Sequence, residues 1–295
     1  MAEQRVIDAV AQAYSFAAAD ATIDQIRSGY DASMARAGIS NSVTVSQDVI
    51  GGVPGAWFRP AGTVGGVVLH LHGGGFRFGS SRSHGPLAAE LAAAAAVAVF
   101  VADYRLAPEH PFPAAVDDAV AALAALIADH GAEHVVISGD SAGGGLALAA
   151  LLAVKSRGGQ LPAAATMQSM WADLTMRSPS VTERAGRDPL MTREQLDANA
   201  ADYLGVHDPA DPLASPVYGD LSGLPPLYLQ VGTEEILHDD TTRVAEAIRA
   251  TGGRATVEVY DGMPHVHQIL LGDLPEAHSA ISATADFIRD VLAIQ

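Results

Sequence analysis

One serine in this chain stands where its surroundings could make it a nucleophile. Gly139-Asp140-Ser141-Ala142-Gly143 is the single G-x-S-x-G pattern in the sequence. With 29 glycines in 295 residues, the pattern alone carries modest weight. Its context carries more: the apolar run His134-Val135-Val136-Ile137 ends just before it, and a helix-forming run begins at Ala142. A serine on a sharp strand-to-helix turn projects its hydroxyl outward, and flanking glycines remove side chains that would clash in so tight a bend. The helix that follows aims backbone N–H groups and the positive end of its dipole at negative charge developing there. A glycine-rich helix entry with a capping serine is the plainer alternative.

A second pattern, His72-Gly73-Gly74-Gly75-Phe76, follows the apolar residues 67–71. Successive glycines leave N–H groups exposed and able to approach a substrate oxygen, which is what an oxyanion hole requires. Against this stands a flexible turn, an entropically costly use of three glycines after a buried strand. His70 and His72 form an H-x-H pair, but no further His/Asp cluster completes a ligand set by spacing, so no metal is expected.

These residues need elements to position them. Six short apolar runs bounded by turn residues, at 66–71, 97–102, 134–138, 163–167, 227–231 and 255–260, read as strands covered on both faces. Strand signals at 43–50 and 53–59, separated by Gly51-Gly52, read as a hairpin. Helical stretches fall at 85–96, 114–130, 142–157, 239–251 and 276–294. The spacing of Ile23, Ile26, Tyr30 and Met34 puts one apolar face on an N-terminal helix. This alternation predicts an α/β fold: a mostly parallel eight-stranded sheet flanked by helices and opened by an antiparallel hairpin. Residues 172–224 break the rhythm with a long polar and proline-rich stretch holding an amphipathic piece at 191–204. An insertion over the sheet's carboxyl edge, where open α/β folds bind ligands, is the expected reading.

Composition narrows the function further. The chain is 49% hydrophobic and 17% charged, the profile of a globular protein. A formal charge of −17 removes the electrostatic attraction that dominates nucleic-acid binding and disfavours anionic membranes and highly anionic substrates. With no cysteine there is no disulfide, thiolate nucleophile or Cys-ligated zinc, which fits a reducing, cytoplasmic setting. The start, MAEQRVIDAV, lacks the continuous apolar stretch of a signal peptide. The uncharged run 91–102 is only 12 residues long, whereas a membrane-spanning helix needs about 20.

Three motifs in order carry a resemblance: HGGGF at 72–76, the stretch Asp103-Tyr104-Arg105-Leu106-Ala107-Pro108-Glu109-His110-Pro111-Phe112-Pro113-Ala114-Ala115, and Gly139-Asp140-Ser141-Ala142-Gly143-Gly144. Together they resemble the signature set of the hormone-sensitive-lipase-like esterases of the α/β-hydrolase superfamily, over about residue 40 to the end. The resemblance implies an α/β-hydrolase core at 41–171 and 225–295, with a small helical cap formed by residues 1–40 and 172–224. It also implies Ser141 as nucleophile, the N–H groups of Gly74, Gly75 and Ala142 as oxyanion hole, and no metal or organic cofactor. Its base corresponds to His265, in Asp261-Gly262-Met263-Pro264-His265, with His267 the next choice. Where the family has Asp-Pro-Leu-x-Asp, this chain has Glu235-Ile236-Leu237-His238-Asp239. Glu235 therefore replaces the orienting aspartate; Asp239 is the rival acid, though Asp239 and Asp240 also read as charges at a helix start, and Glu234 as solvent-facing.

Phe76, Trp171 and Met34, with Phe78 and Met170, are candidates for an apolar substrate pocket, core packing being their ordinary role. Few long apolar runs in the cap point to short acyl chains rather than lipid emulsions. The segments Val231-Gly232-Thr233-Glu234-Glu235 and Gly262-Met263-Pro264-His265 are also similar to those of bacterial monoterpene lactone hydrolases, which keeps a cyclic ester open. A non-catalytic small-molecule binder on the same fold, as in the plant gibberellin receptor, is the competing class; retention of both Ser141 and His265 favours an enzyme. Family members often pair, so a homodimer is the oligomer the resemblance suggests.

Overall fold

Each short apolar run becomes a strand: β1 (Val43–Ile50), β2 (Val53–Pro60), β3 (Val67–Leu71), β4 (Ala98–Ala102), β5 (Val135–Asp140), β6 (Ala164–Gln168), β7 (Leu227–Gly232) and β8 (Ala255–Tyr260). The computed structural model describes residues 3–16, 20–63 and 65–294. Residues 1, 2 and 17–19 of the N-terminal segment thus lie outside the described residues. The strands form one sheet in the order β1-β2-β4-β3-β5-β6-β7-β8. The pairs β1/β2 and β2/β4 are antiparallel and the others parallel. Strands β5 and β7 outlast their apolar runs, ending at Asp140 and Gly232, because their neighbours continue the ladder as far as Asp140↔Gln168 and Gly232↔Tyr260.

Two helical layers cover the sheet. On one face lie α3 (Gly85–Ala95) and α9 (Pro275–Val291); on the other lie α4 (Ala114–His130), α5 (Ala142–Ser156) and α8 (His238–Ala250). The pleat of β3 feeds both layers, with Leu69 and Leu71 in the α4/α5 core and Val68 in the α3/α9 core. Being covered on both sides, β3 is buried along its whole length and shows no polar alternation. Helix α5 is buried all round from Ala142 to Val154. Its run of small residues at the start lets the helix backbone approach the end of β3 closely.

Two further groups of helices cross the carboxyl edge. Helices α1 (Gln4–Tyr14) and α2 (Ile23–Met34) precede the sheet, and α6 (Ser180–Glu183) and α7 (Arg193–Leu204) lie between β6 and β7. Helix α1 buries Val6, Ala9, Val10 and Ala13 at the three- and four-residue spacing of one face, in the same core as Met263, Val266 and Ile269. Thr22 and Gln25 start α2 as a capping box. Of its apolar stripe, Tyr30 and Met34 are buried, whereas Ile23 and Ile26 are half-buried because that end borders an open cavity. Among the described residues no helix is long and apolar enough to cross a membrane.

Candidate active site

The sheet order brings the two glycine motifs together. β3 and β5 are parallel neighbours with Leu71 opposite Gly139, so the loops leaving them, 72–76 and 139–143, emerge side by side. β7 and β8 are likewise neighbours, and Glu235 and His265 lie on the loops leaving their carboxyl ends. Four chain segments thus meet at one edge of the sheet.

Ser141 sits on the turn between β5 and α5 with φ 51°, a left-handed conformation that a non-glycine residue adopts only where its neighbours enforce it. Here Ser141 N–H is held by the Gln168 carbonyl at 2.9 Å, and the Ser141 carbonyl accepts from Trp171 N–H at 2.9 Å. Gly143, on the first turn of α5, packs so tightly on β3 that a Cβ there would run into the Leu71 carbonyl oxygen. Ser141 Oγ lies 2.8 Å from His265 Nε2, and His265 Nδ1 lies 3.0 Å from Glu235 Oε2. The other Glu235 oxygen accepts from Gly232 N–H at 2.5 Å and Ser169 Oγ–H at 2.7 Å. All three side chains are buried. Burial, the largest influence, pulls the His265 pKa down, but the hydrogen bond and charge of Glu235, with Asp188 and Asp140 beyond, outweigh it and raise it above the ordinary imidazole value.

The N–H groups of Gly74, Gly75 and Ala142 have no partner among the described residues. Gly73 N–H, by contrast, is bound by Asp140 Oδ1 at 3.0 Å. Asp140 lies in turn 3.2 Å from both His70 Nε2 and His84 Nε2. Burial alone would raise the Asp140 pKa; the two imidazoles reverse this and hold the carboxyl well below the usual carboxylate range. His70, His84 and Asp140 offer ligand atoms within 4.8 Å of one another, the one such trio among the described residues. One carboxylate oxygen already serves Gly73, so the trio works as a buried hydrogen-bond hub that ties the glycine loop to β5. The H-x-H pair does not converge: His72 turns away, with Nδ1 2.8 Å from the Gly73 carbonyl and its ring stacked on Tyr104 at 4.3 Å.

The remaining candidates sit elsewhere. His267 is buried against Tyr260, with both ring nitrogens unpartnered and its pKa pulled down to about 4 by burial. Asp239, at the start of α8, accepts from Ser180 N–H at 2.9 Å and pairs with His238, away from His265. Asp240 is more than a helix-start charge: it is buried and accepts from Ala172 N–H at 2.8 Å, Asp173 N–H at 2.9 Å and Ser178 Oγ–H. Glu234 is not solvent-facing either; it is buried and paired with Arg187 at 2.7 Å, a partner 47 positions away that local sequence does not disclose.

A cavity of about 520 Å³ opens over Ser141 and His265. Its walls differ from the sequence expectation. Met34 faces a separate cleft beside Gln12 and Leu270, while Phe76 stacks on Tyr203 at 3.7 Å and Trp171 packs beside Phe76, fully buried. Phe78 does line the cavity, with Tyr14, Phe16 and Tyr30. These four rings pack edge to face or tilted, Tyr30 touching Phe78 at 4.9 Å and Phe16 at 5.5 Å. Pro189, Leu190 and Met191 close the opposite side. Asp188 fixes that side: its carboxylate accepts from Leu190 and Met191 N–H at 2.9 and 3.1 Å and from Ile236 N–H, next to Glu235, at 3.1 Å. The Asp-Pro pair at 188–189 is a turn signal, but nothing local tells that the turn reaches Glu235.

Sheet order, the turn at Ser141 and the flanking helices define the class as an α/β hydrolase. A family model described as the alpha/beta hydrolase fold matches residues 68–269. An acetyl-hydrolase of Streptomyces hygroscopicus is 45% identical over 242 residues, covering 81% of each chain. An esterase of Acinetobacter venetianus is 36% identical over 242 residues, covering 81% of this chain and 79% of its own. A crystal structure of an esterase from the bacterial hormone-sensitive lipase family superposes with a TM-score of 0.95 at 39% identity, covering 99% of this chain and 100% of that one. The chain belongs to the α/β-hydrolase family, among its hormone-sensitive-lipase-like esterases, and is a carboxylesterase-like hydrolase.

Proposed function

We propose that this hydrolase cleaves short-chain acyl esters through Ser141, His265 and Glu235, by way of an acyl-enzyme. The reading rests on one observation, the unbroken relay from Ser141 Oγ through His265 to Glu235 at 2.8 and 3.0 Å. Ser141 Oγ attacks the ester carbonyl carbon as His265 Nε2 takes its proton; Glu235 holds the imidazole in the tautomer with Nε2 free to accept and stabilises the imidazolium. The carbonyl oxygen, now negative, receives the N–H groups of Gly74, Gly75 and Ala142, which have no other partner to release. His265 returns the proton to the departing alcohol, then deprotonates a water that attacks the acyl carbon and frees Ser141.

Packing supports short acyl chains. Phe76 stacks on Tyr203 and Trp171 packs tilted beside Phe76, so these three large rings are taken up by the core and add no apolar surface to the cavity over Ser141. The S. hygroscopicus relative carries the same implication in its name. Residues 1–40 and 172–224 act as the cap, since α1, α2 and the 189–199 stretch wall the cavity.

Ser141→Ala is expected to lower kcat on 4-nitrophenyl acetate on the order of 10⁴-fold or more with the melting temperature intact. Retained turnover would remove Ser141 from the mechanism. A fluorophosphonate should label the parent enzyme at Ser141, whereas a binder without a working relay would stay unmodified. Rates over acyl lengths from acetyl to decanoyl, with a lactone panel alongside, test the substrate class: a maximum at long chains or on lactones would overturn the short-acyl reading.

A further inference from the structure

Two side-chain amides on α7 face the cavity, and the oxygen of each is already committed. Asn199 Oδ1 accepts from Arg77 Nη1–H at 3.0 Å. A guanidinium only donates, so this bond fixes the amide with its NH2 turned the other way. That NH2 lies over Gly75, where a Cβ would collide with it. Gln195 Oε1 accepts from Thr192 N–H at 2.9 Å as half of the capping box that starts α7, which leaves its NH2 free as well. Residues 195 and 199 are four apart and share one helix face, and both line the cavity that holds Ser141 and His265. Neither NH2 has a partner among the described residues. Asn199 is only 8% exposed and Gln195 is exposed, and the free donors of both open onto the cavity, where a substrate acceptor can reach them.

We infer that the Asn199 and Gln195 amides form a donor pair for substrate, selecting esters that carry a neutral oxygen acceptor, such as an ether, hydroxyl or second carbonyl, within a few bonds of the scissile group. This rests on the Ser141 hydrolase reading and specifies its substrate. An acceptor is required because both groups are locked as donors. A neutral one fits better than a carboxylate: the nearby Arg77 is already paired with Asp202 at 2.8 Å, and the chain carries a charge of −17.

The test uses isosteric pairs that differ by one CH2→O exchange. On the acyl side these are 4-nitrophenyl butyrate and 4-nitrophenyl methoxyacetate; on the alcohol side, butyl acetate and 2-methoxyethyl acetate. Each kcat/KM is divided by the ester's hydroxide-catalysed rate constant to remove intrinsic reactivity. The parent enzyme should favour the oxygenated member of one pair by about 3- to 10-fold, the worth of a neutral hydrogen bond, and the pair that responds shows which half of the ester lies against α7. Asn199→Asp keeps the acceptor for Arg77, and Gln195→Glu keeps the capping acceptor for Thr192, while each removes the donors; both should bring the ratio towards one. A parent ratio near one in both pairs, or a ratio unmoved in both variants, overturns the inference. Turnover retained by Ser141→Ala would be a separate failure, that of the hydrolase reading itself.

Discussion

His265 faces two opposed influences, and their balance sets how the site responds to pH. Burial favours the neutral ring, while Glu235, Asp188 and Asp140 favour the protonated one and prevail, so the pKa stands above the ordinary imidazole value. The attacking state needs the neutral ring, so kcat/KM should fall as the pH drops through that raised pKa. Glu235→Gln removes the nearest negative charge and lets burial count for more: the acid limb should move to lower pH, and kcat should fall on the order of 10³- to 10⁴-fold, as when a triad acid loses its charge. Asp239→Asn keeps an acceptor for Ser180 N–H and removes a charge that does not reach the ring, so it should leave the limb in place and the rate within about threefold. A pH–rate series on both variants decides it, and the reverse ranking would transfer the orienting role to Asp239. The resemblance favours Glu235 over Asp239 because Glu235 stands in the place of the family's first acid, and Glu235 is the one of the two whose carboxylate lies 3.0 Å from His265. Sequence places Glu234 and Asp188 poorly because their partners, Arg187 and Ile236, are remote in the chain.

At the scale of elements, the site is a consequence of β3 and β5 lying side by side. The turn after β5 works only if α5 can leave at once and pack against the end of β3, and Gly143 is where the two backbones come closest. Gly143→Ala should therefore destabilise the fold by about 3 kcal/mol, the upper range for overpacking, because the obstructing atom is backbone and cannot swing aside. Gly158, just past the end of α5, has φ 69° but open space around it. Alanine there should cost only about 1 kcal/mol, from the left-handed conformation alone. Urea denaturation of the two variants measures the difference; equal losses would show that the approach of α5 to β3 is looser than described. The strands, α4 and the glycine turn are legible in sequence because each depends on a local period or a local bend. The cavity wall is not: Tyr14 and Tyr30 come from α1 and α2, and Phe16 from the turn after α1, at the far end of the chain. Phe76 and Trp171 have the composition of wall residues, but Phe76 is drawn into the core by Tyr203, a partner on α7, and Trp171 packs beside Phe76.

For the whole molecule, 34 acidic against 17 basic side chains make pH a general influence on stability, because self-repulsion eases as the pH falls towards the sequence pI of about 4.8. One buried acid adds a specific contribution. Asp240 ties the start of the 172–224 segment to α8 through Ala172 and Asp173 N–H, and burial pushes its pKa up to about 7. The charge of Asp173 adds to that rise, the hydrogen bonds from Ser178, Ala172 and Asp173 oppose it, and Arg243 stands close by, paired with Asp173. The folded value lies above the ordinary one, so between about pH 4 and 7 the native chain holds a proton that the unfolded chain releases. The stabilisation this brings is complete at the low end and is lost as the pH rises through about 7. Asparagine preserves the acceptor for the two backbone N–H groups and does not titrate. Asp240→Asn should therefore gain on the parent as the pH is raised from 5, by up to roughly 1.4 kcal/mol per pH unit until about pH 7 and with no further gain from there to 8. Surface repulsion is shared by the two proteins and cancels in the comparison, so a stability gap that stays constant from pH 5 to 8 would show that Asp240 is ionised throughout and that its three donors outweigh its burial.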